Sequence, residues 1–197
     1  MDDGTGMLTA AAAVALVGAL VTLVSLVVLH VLPTGLSPLR DPVSQYGITR
    51  YRAGYRVAAV AAGVAGLGMA ALLGQATGRW SVPVVLLLVF ALARILIAFF
   101  PMDAPGTPPT ARGRVHLGLA IIAFFAVTVA AFLDPGRSDV AGLGPITLAC
   151  AILMALGTVG IVIARRSSGP SLFGLFERLI YAGFLAWFLV VGILVLV

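Results

Sequence analysis

Asp41, Asp103, Glu177, His30 and His116 are the side chains of this sequence most able to move a proton, and all five fall at the edges of long apolar runs. Carboxylates and imidazoles in a partly dry site have displaced proton affinities, which is how an acid or base is readied to work near neutrality. Arginines gather beside them. The stretch RDPVSQYGITRYRAGYR, residues 40 to 56, holds four, and Arg112, Arg114 and Arg178 stand next to His116 and Glu177. Arg94 lies inside an apolar run, where an ionisable residue is expensive enough to imply a function and a partner. Asp103 is the nearest candidate partner in sequence, with Asp41 and Glu177 as rivals.

The chemistry these residues suggest is acid–base catalysis on an anionic, lipid-derived substrate. Asp103 and His116 are the leading acid and base, with Glu177 and Asp41 as their partners. Arg94, Arg112, Arg114 and Arg178 would hold the anion, and Tyr46 and Ser44 of the first loop would join them in binding the substrate. Ser44 is no obvious nucleophile, because DPVSQYG lacks the G-x-S-x-G elbow and no strand precedes it. A metal site would have to draw on His30, His116 and Asp103, since zinc-like sites use about three protein ligands and an open position. No H-x-x-x-H or H-x-x-E-H spacing exists, so those ligands would have to converge from separate helices. The expectation is no metal, and the sequence requires no cofactor.

The elements that must position these groups are membrane spans. Of 197 residues, 61% are hydrophobic and only 10% charged, and the mean hydropathy is +1.17. Soluble domains run nearer half apolar and a quarter charged, so the solvent for most side chains here is lipid. Six apolar runs can each cross a hydrocarbon core about 30 Å thick, which takes roughly 20 helical residues. They extend approximately over residues 7–31, 54–73, 82–100, 115–133, 140–164 and 177–197. Helices are expected, because lipid leaves exposed backbone groups unsatisfied and the alternation of a barrel is missing. The fold class is therefore an all-α bundle of six transmembrane helices forming one domain. The small residues of the second and fifth runs place those two helices in its interior. The acidic start MDDGTG, followed by a long apolar run, reads as a retained span, not a signal peptide.

Nine arginines lie in the loops after the first, third and fifth runs, against Arg79 and Arg137 on the other side. The positive-inside rule makes the arginine-rich loops cytoplasmic and both termini external, in a multi-pass protein of the plasma or inner membrane. Every ionisable group at membrane depth then lies toward one face. The net charge of +5 reflects this orientation and does not mark a nucleic-acid partner. Cys150 is the single cysteine, so no disulfide can form within one chain.

The strings SQYG after the first run, FPMDAPGTPPTARGRVH between the third and fourth, and GLFERL entering the last resemble the DUF998 family of six-span membrane proteins. The resemblance covers nearly the whole chain, and its most specific part is the set Phe100, Pro101, Asp103, Thr110, Gly113 and His116. Where that family often has Ser-Asp/Glu-Tyr in the first loop, Gln45 stands between Ser44 and Tyr46. The resemblance implies the fold and the position of the site, and the family carries no assigned activity.

The partners expected are membrane lipids, including a phospholipid or prenyl substrate, and a homo-oligomer is compatible with the sequence. A non-catalytic lipid-binding, scaffold or sensory subunit is the alternative. A transporter ranks lower, because transporters carry polar groups near the midplane, where these runs offer only small hydroxyls such as Ser25, Thr128 and Thr158.

Overall fold

The computed structural model describes residues 3–77, 80–134, 143–166 and 171–196. It is a helical membrane bundle: α1 (Asp3–Val31), a 3-10 turn (Val43–Ile48), α2 (Arg52–Thr77), α3 (Val82–Ile97), α4 (Ala111–Leu133), α5 (Leu143–Arg166) and α6 (Phe173–Leu196). No strand occurs among the described residues. Five of these helices are long and apolar enough to cross a membrane, and α3 is a shorter apolar helix. Arg79, Arg137 and the beginning of the run at 140 lie outside the described residues.

Several boundaries differ from the sequence expectation. The third run was expected to continue to Phe100, yet α3 has 16 residues and stops at Ile97, with a turn over Ala98 and Phe99. Arg94 therefore lies in its last turn, roughly 4.5 Å of helical rise from its end. The second, fourth and sixth helices begin earlier than their apolar runs, at Arg52, Ala111 and Phe173. Hydropathy under-reads these starts because the first helical turn leaves its N–H groups unpaired and readily accepts polar residues. Glu177 accordingly sits one turn inside α6.

Each helix packs on its neighbour in chain order, and α6 returns to α1, which closes the ring. The α4–α5 seam is the sparsest of these contacts. Lipid tails are as apolar as the helix surfaces, so close van der Waals fit must drive association. Between α1 and α2 the fit is backbone on backbone. A Cβ at Gly18 would lie 2.7 Å from the Ala65 nitrogen and 2.8 Å from the Ala61 oxygen, and one at Gly68 would run into the Ala15 nitrogen. The expectation of an interior place holds for α2, the most buried of the long helices, and fails for α5, the least buried. In α5 the small residues serve one stripe only: Gly157 and Gly160 admit Phe176 and Ile180 of α6, the buried stripe continues through Met154, Ala151, Cys150 and Thr147, and the opposite side faces outward.

The centre is aromatic. Phe90 of α3 meets Phe184 and Phe188 of α6 at 5.4 and 5.9 Å between ring centroids, and Tyr181 meets Phe124 of α4 at 5.7 Å, in edge-to-face arrangements that favour aromatic pairs. Trp187, which could have been an interfacial residue, is fully buried here, whereas Trp80 is exposed. Val17, Leu92, Phe125 and Ile163 are each more than half exposed, as a lipid-facing surface requires.

Gly68→Ala is expected to destabilise the bundle by about 1–3 kcal/mol, because the added methyl has only backbone to displace. Gly118→Ala, whose Cβ would meet nothing within 4 Å, should be neutral or stabilising through helix propensity. Thermal unfolding of both variants in mild detergent checks the contrast, and equal effects would refute the close-approach reading.

Candidate functional site

The end of α1, the start of α2, the end of α3, the start of α4, the end of α5 and the start of α6 meet at one end of the bundle. His30, Tyr55, Arg94, His116, Arg165 and Glu177 lie on those segments in that order. The sequence expectation that titratable groups collect at one end is met in the geometry.

The first loop docks on α6 through Arg178. Its Nε donates to His30 Nε2 at 2.6 Å, and its Nη1 donates to the carbonyls of Asp41 and Gly174, both at 2.9 Å. The Gly174 and Leu175 amides donate to the carbonyls of Arg40 and Leu39, so the loop satisfies N–H groups that a helix start leaves unpaired. A Cβ at Gly174 would fall 2.5 Å from the Asp41 oxygen, which is why the loop can approach only a glycine here. Arg178 was expected to hold a substrate anion, and most of its donors instead hold protein carbonyls and an imidazole.

His30 is equally engaged. Its Nδ1 lies 2.6 Å from the Leu26 carbonyl, which can only accept, so Nδ1 carries the proton and Nε2 accepts from Arg178. With both nitrogens occupied, His30 has no lone pair for a metal. The set His30, His116 and Asp103 does not converge, and no group of three such ligands forms among the described residues. Asp41 takes the Ser37 amide on Oδ2 at 2.6 Å and closes its own turn. It serves the loop, and its carboxylate is not part of the cavity described below.

Asp103 is a loop staple as well. The Thr110 hydroxyl donates to Oδ1 at 2.6 Å and the Thr110 amide to Oδ2 at 3.0 Å. The same Thr110 oxygen accepts the Gly113 amide at 3.1 Å as the N-cap of α4. A Cβ at Gly113 would run into the Asp103 carboxylate, so Asp103, Thr110 and Gly113 fit as a unit. The Thr110 hydrogen bonds, first from its hydroxyl and then from its amide, hold the Asp103 carboxyl below the usual aspartate range.

His116 is buried on the first turns of α4, and its Nδ1 lies 2.7 Å from the Phe100 carbonyl. That carbonyl fixes the proton on Nδ1, which makes Nε2 an acceptor. No hydrogen bond engages Nε2 among the described residues. Glu177, 5% exposed, accepts the Val43 amide on Oε2 at 2.8 Å, and its Oε1 has no such partner. Both residues line a cavity of about 470 Å³ enclosed by α4, α5, α6 and the first loop. Ser44, Met102, Asp103 and Arg165 complete its polar rim, with the Ser44 hydroxyl 3.2 Å from the Met102 sulfur. Apolar residues of α4 and α5, among them Ile121, Phe125 and Val162, form the rest of its wall and are themselves exposed. The cavity therefore opens sideways along the sparse α4–α5 seam.

Arg94 is 1% exposed and forms no ion pair within 4.0 Å among the described residues. Its guanidinium lies 5.2 Å from the Tyr181 ring centroid, with Tyr55 and Glu177 as its other electrostatic neighbours. Asp103 is not its partner: the two phenols are the leading neighbours, Glu177 acts from beyond ion-pair distance, and Nε and Nη2 of Arg94 are left unbonded. Tyr46, expected to bind the substrate, is buried against the His30 ring at 5.5 Å and lines no part of the cavity, and Tyr55 is buried as well. Arg112 and Arg114, expected to bind the anion, are exposed and line no part of the cavity. Arg165, Tyr55 and Tyr181 were not among the candidates. Only the four-residue spacing of Glu177 and Tyr181 hinted at the last of them.

The family model described as "Protein of unknown function (DUF998)" matches residues 16–194, so the chain belongs to that family. No curated protein and no solved structure matches it.

Two outcomes follow from this geometry. The Asp103 carboxyl releases its proton more readily folded than unfolded, so its stabilisation is complete above the ordinary aspartate range. It is lost as pH falls through the lowered value. Asp103→Asn should remove that acid limb from a stability–pH profile, leaving stability at neutral pH less dependent on pH below it. Separately, Arg94→Met and Glu177→Gln should each destabilise, while the double variant loses less than their sum by about 0.5–3 kcal/mol. Strict additivity in reversible unfolding would mean that the two groups do not compensate each other.

Proposed function

We propose that the chain is a single transmembrane unit, with α3 as a sixth crossing, the arginine-rich end in the cytoplasm and the plasma or inner membrane as its site. We further propose that the α4–α5–α6 cavity receives the polar end of a phospholipid or prenyl compound and carries out proton-transfer chemistry on it, a hydrolysis or an isomerisation or cyclisation. The observation that carries this reading is the pairing of an acceptor nitrogen, His116 Nε2, with a carboxylate oxygen, Glu177 Oε1, on one cavity that opens to the lipid-facing surface. Buried groups with unused hydrogen-bonding capacity are costly in a membrane, so they call for a ligand.

In this reading His116 is the base. The Phe100 carbonyl fixes its tautomer, and a proton taken on Nε2 is held by the same ring that keeps Nδ1–H anchored. Glu177 faces the cavity as the second proton-carrying group, its other oxygen fixed by the Val43 amide. Asp103 is a positioning residue: through Thr110 and Gly113 it sets the first turn of α4 and hence the His116 ring. Asp41, Arg178 and His30 hold the first loop in place. No metal or other cofactor enters the scheme.

The alternative is a subunit that holds a lipid without changing it. It is favoured by the number of polar groups already committed to structure: Asp41, Asp103, His30 and most of Arg178.

Mass spectrometry of lipids retained through mild-detergent purification tests the cavity. A stoichiometric prenyl or phospholipid species, incubated with the protein in vesicles, should then be converted. His116→Gln should remove conversion by a factor of about 10² or more while retaining the lipid and the unfolding temperature, whereas Asp103→Asn should preserve most of the turnover. Retention without conversion by the native protein would favour the lipid-holding subunit, and no retained lipid would count against the site.

A further inference from the structure

Among the described residues the cavity has one cationic side chain in its lining, Arg165 at the end of α5. Its guanidinium carbon lies 5.7 Å from the Phe173 ring centroid. Stacking of this kind occupies the flat face of a guanidinium and leaves its in-plane donors available. No hydrogen bond or ion pair uses those donors among the described residues. The other arginines near the cavity are differently placed. Arg178 is bonded to carbonyls and His30, Arg94 is buried against Tyr181, and Arg112 and Arg114 face away.

The two carboxylates of the lining do not neutralise this side chain. Asp103 accepts both Thr110 donors and has Arg114 as an electrostatic neighbour. Glu177 accepts the Val43 amide and lies among Arg94 and Arg178. Three guanidinium groups, those of Arg94, Arg165 and Arg178, thus stand against the two acids, and the balance around the cavity remains positive. Beyond Arg165 the wall turns apolar and exposed, over Val162 on its own helix and Ile121 and Phe125 across the seam.

We infer that the cavity selects an anionic amphiphile, an acidic head on an apolar chain, and that Arg165 is the residue that discriminates the head. The head lies at the rim within reach of the Arg165 fork, where the protonated oxygen of a phosphate monoanion donates to His116 Nε2 or Glu177 Oε1, and the chain leaves through the α4–α5 seam to lie against Phe125 and Val162. An Arg fork meets two oxygens of a phosphate or carboxylate at once, which a neutral alcohol cannot offer. The inference rests on the cavity being a ligand site and is independent of whether the ligand is chemically changed.

The test uses the full chain in a neutral detergent, with dodecyl phosphate, dodecanol and inorganic phosphate as probes, read by calorimetric binding and by the shift in unfolding temperature. Dodecyl phosphate should bind more tightly than either fragment. Arg165→Gln, a change at an exposed position, should weaken dodecyl phosphate about ten-fold and leave dodecanol unchanged. Phe125→Ala should weaken dodecyl phosphate and dodecanol together and leave inorganic phosphate unchanged. Equal dodecyl phosphate affinity in the Arg165 variant would overturn the assignment of Arg165 while the cavity reading stood. Inorganic phosphate binding as tightly as dodecyl phosphate would mean a plain anion site and overturn the lipid class. Binding of none of the three would overturn both this inference and the ligand site beneath it.

Discussion

Polar groups buried at the arginine-rich end must find partners inside the protein, because burial removes those that water would supply. The Arg178 guanidinium meets much of that demand. It joins the end of α1 through His30, the first loop through the Asp41 carbonyl, and the first turn of α6 through the Gly174 carbonyl. A planar fork can satisfy several acceptors in different directions, which an ammonium on a flexible stem does less well. Once that loop is docked, the Val43 amide is presented to Glu177, and the carboxylate is held at the wall of the cavity. The geometry of the site is therefore a consequence of how the first loop is secured, even though the loop's own charged side chains do not enter it.

A parallel device secures the opposite wall. Asp103 and Thr110 close the loop between α3 and α4, and the Thr110 oxygen then caps the helix that carries His116. The Phe100 carbonyl, left unpaired where α3 ends early, takes the His116 Nδ1 proton. The shortness of α3 thus has a direct effect on chemistry: its termination supplies the acceptor that fixes an imidazole tautomer. Two loops, each stapled by its own aspartate, bring one imidazole and one carboxylate to a common space between three helices.

The fold was legible in the sequence because lipid imposes a coarse rule, that backbone groups pair within a helix and side chains are apolar over about 20 residues. That rule finds the helices and blurs their ends, as at Phe100 and Phe173. The gathering of ionisable residues at one end was legible for the same reason, since charge is excluded from the middle. Which of them would meet was not. Asp103 and His116 stand in one motif and do line one cavity, but nothing in spacing reveals that Asp103 is saturated by Thr110. Arg94 was noticed as a buried charge, and its setting of two phenols and Glu177 comes from α2 and α6, far away in sequence. Arg112 and Arg114 looked like site residues because they flank His116. A helix turns by 100° per residue, so Arg114 points nearly opposite to His116, and Arg112 shares the His116 face but sits a turn nearer the helix start, where it is exposed.

A count of hydrogen-bonding capacity separates structure from function more sharply than residue type does. His30 and His116 are the same side chain at the same end of the bundle, each donating Nδ1–H to a carbonyl. They differ only at Nε2, where His30 accepts from Arg178 and His116 faces a cavity. The acids divide the same way: Asp41 and Asp103 close turns within their loops, whereas Glu177 keeps an oxygen unbonded on the cavity wall. Among the arginines, Arg178 gives its Nε to His30 and its Nη1 to two carbonyls and leaves Nη2 unbonded, and Arg165 retains its in-plane donors. Satisfying a buried polar group is favourable in itself, so stability alone gives no reason to leave an acceptor nitrogen and a carboxylate oxygen unpaired on one apolar cleft, with unbonded nitrogens of Arg94 and Arg178 nearby and the exposed Arg165 at its rim. Their shared position is explained most simply by a ligand that supplies the missing partners and a tail for the open seam.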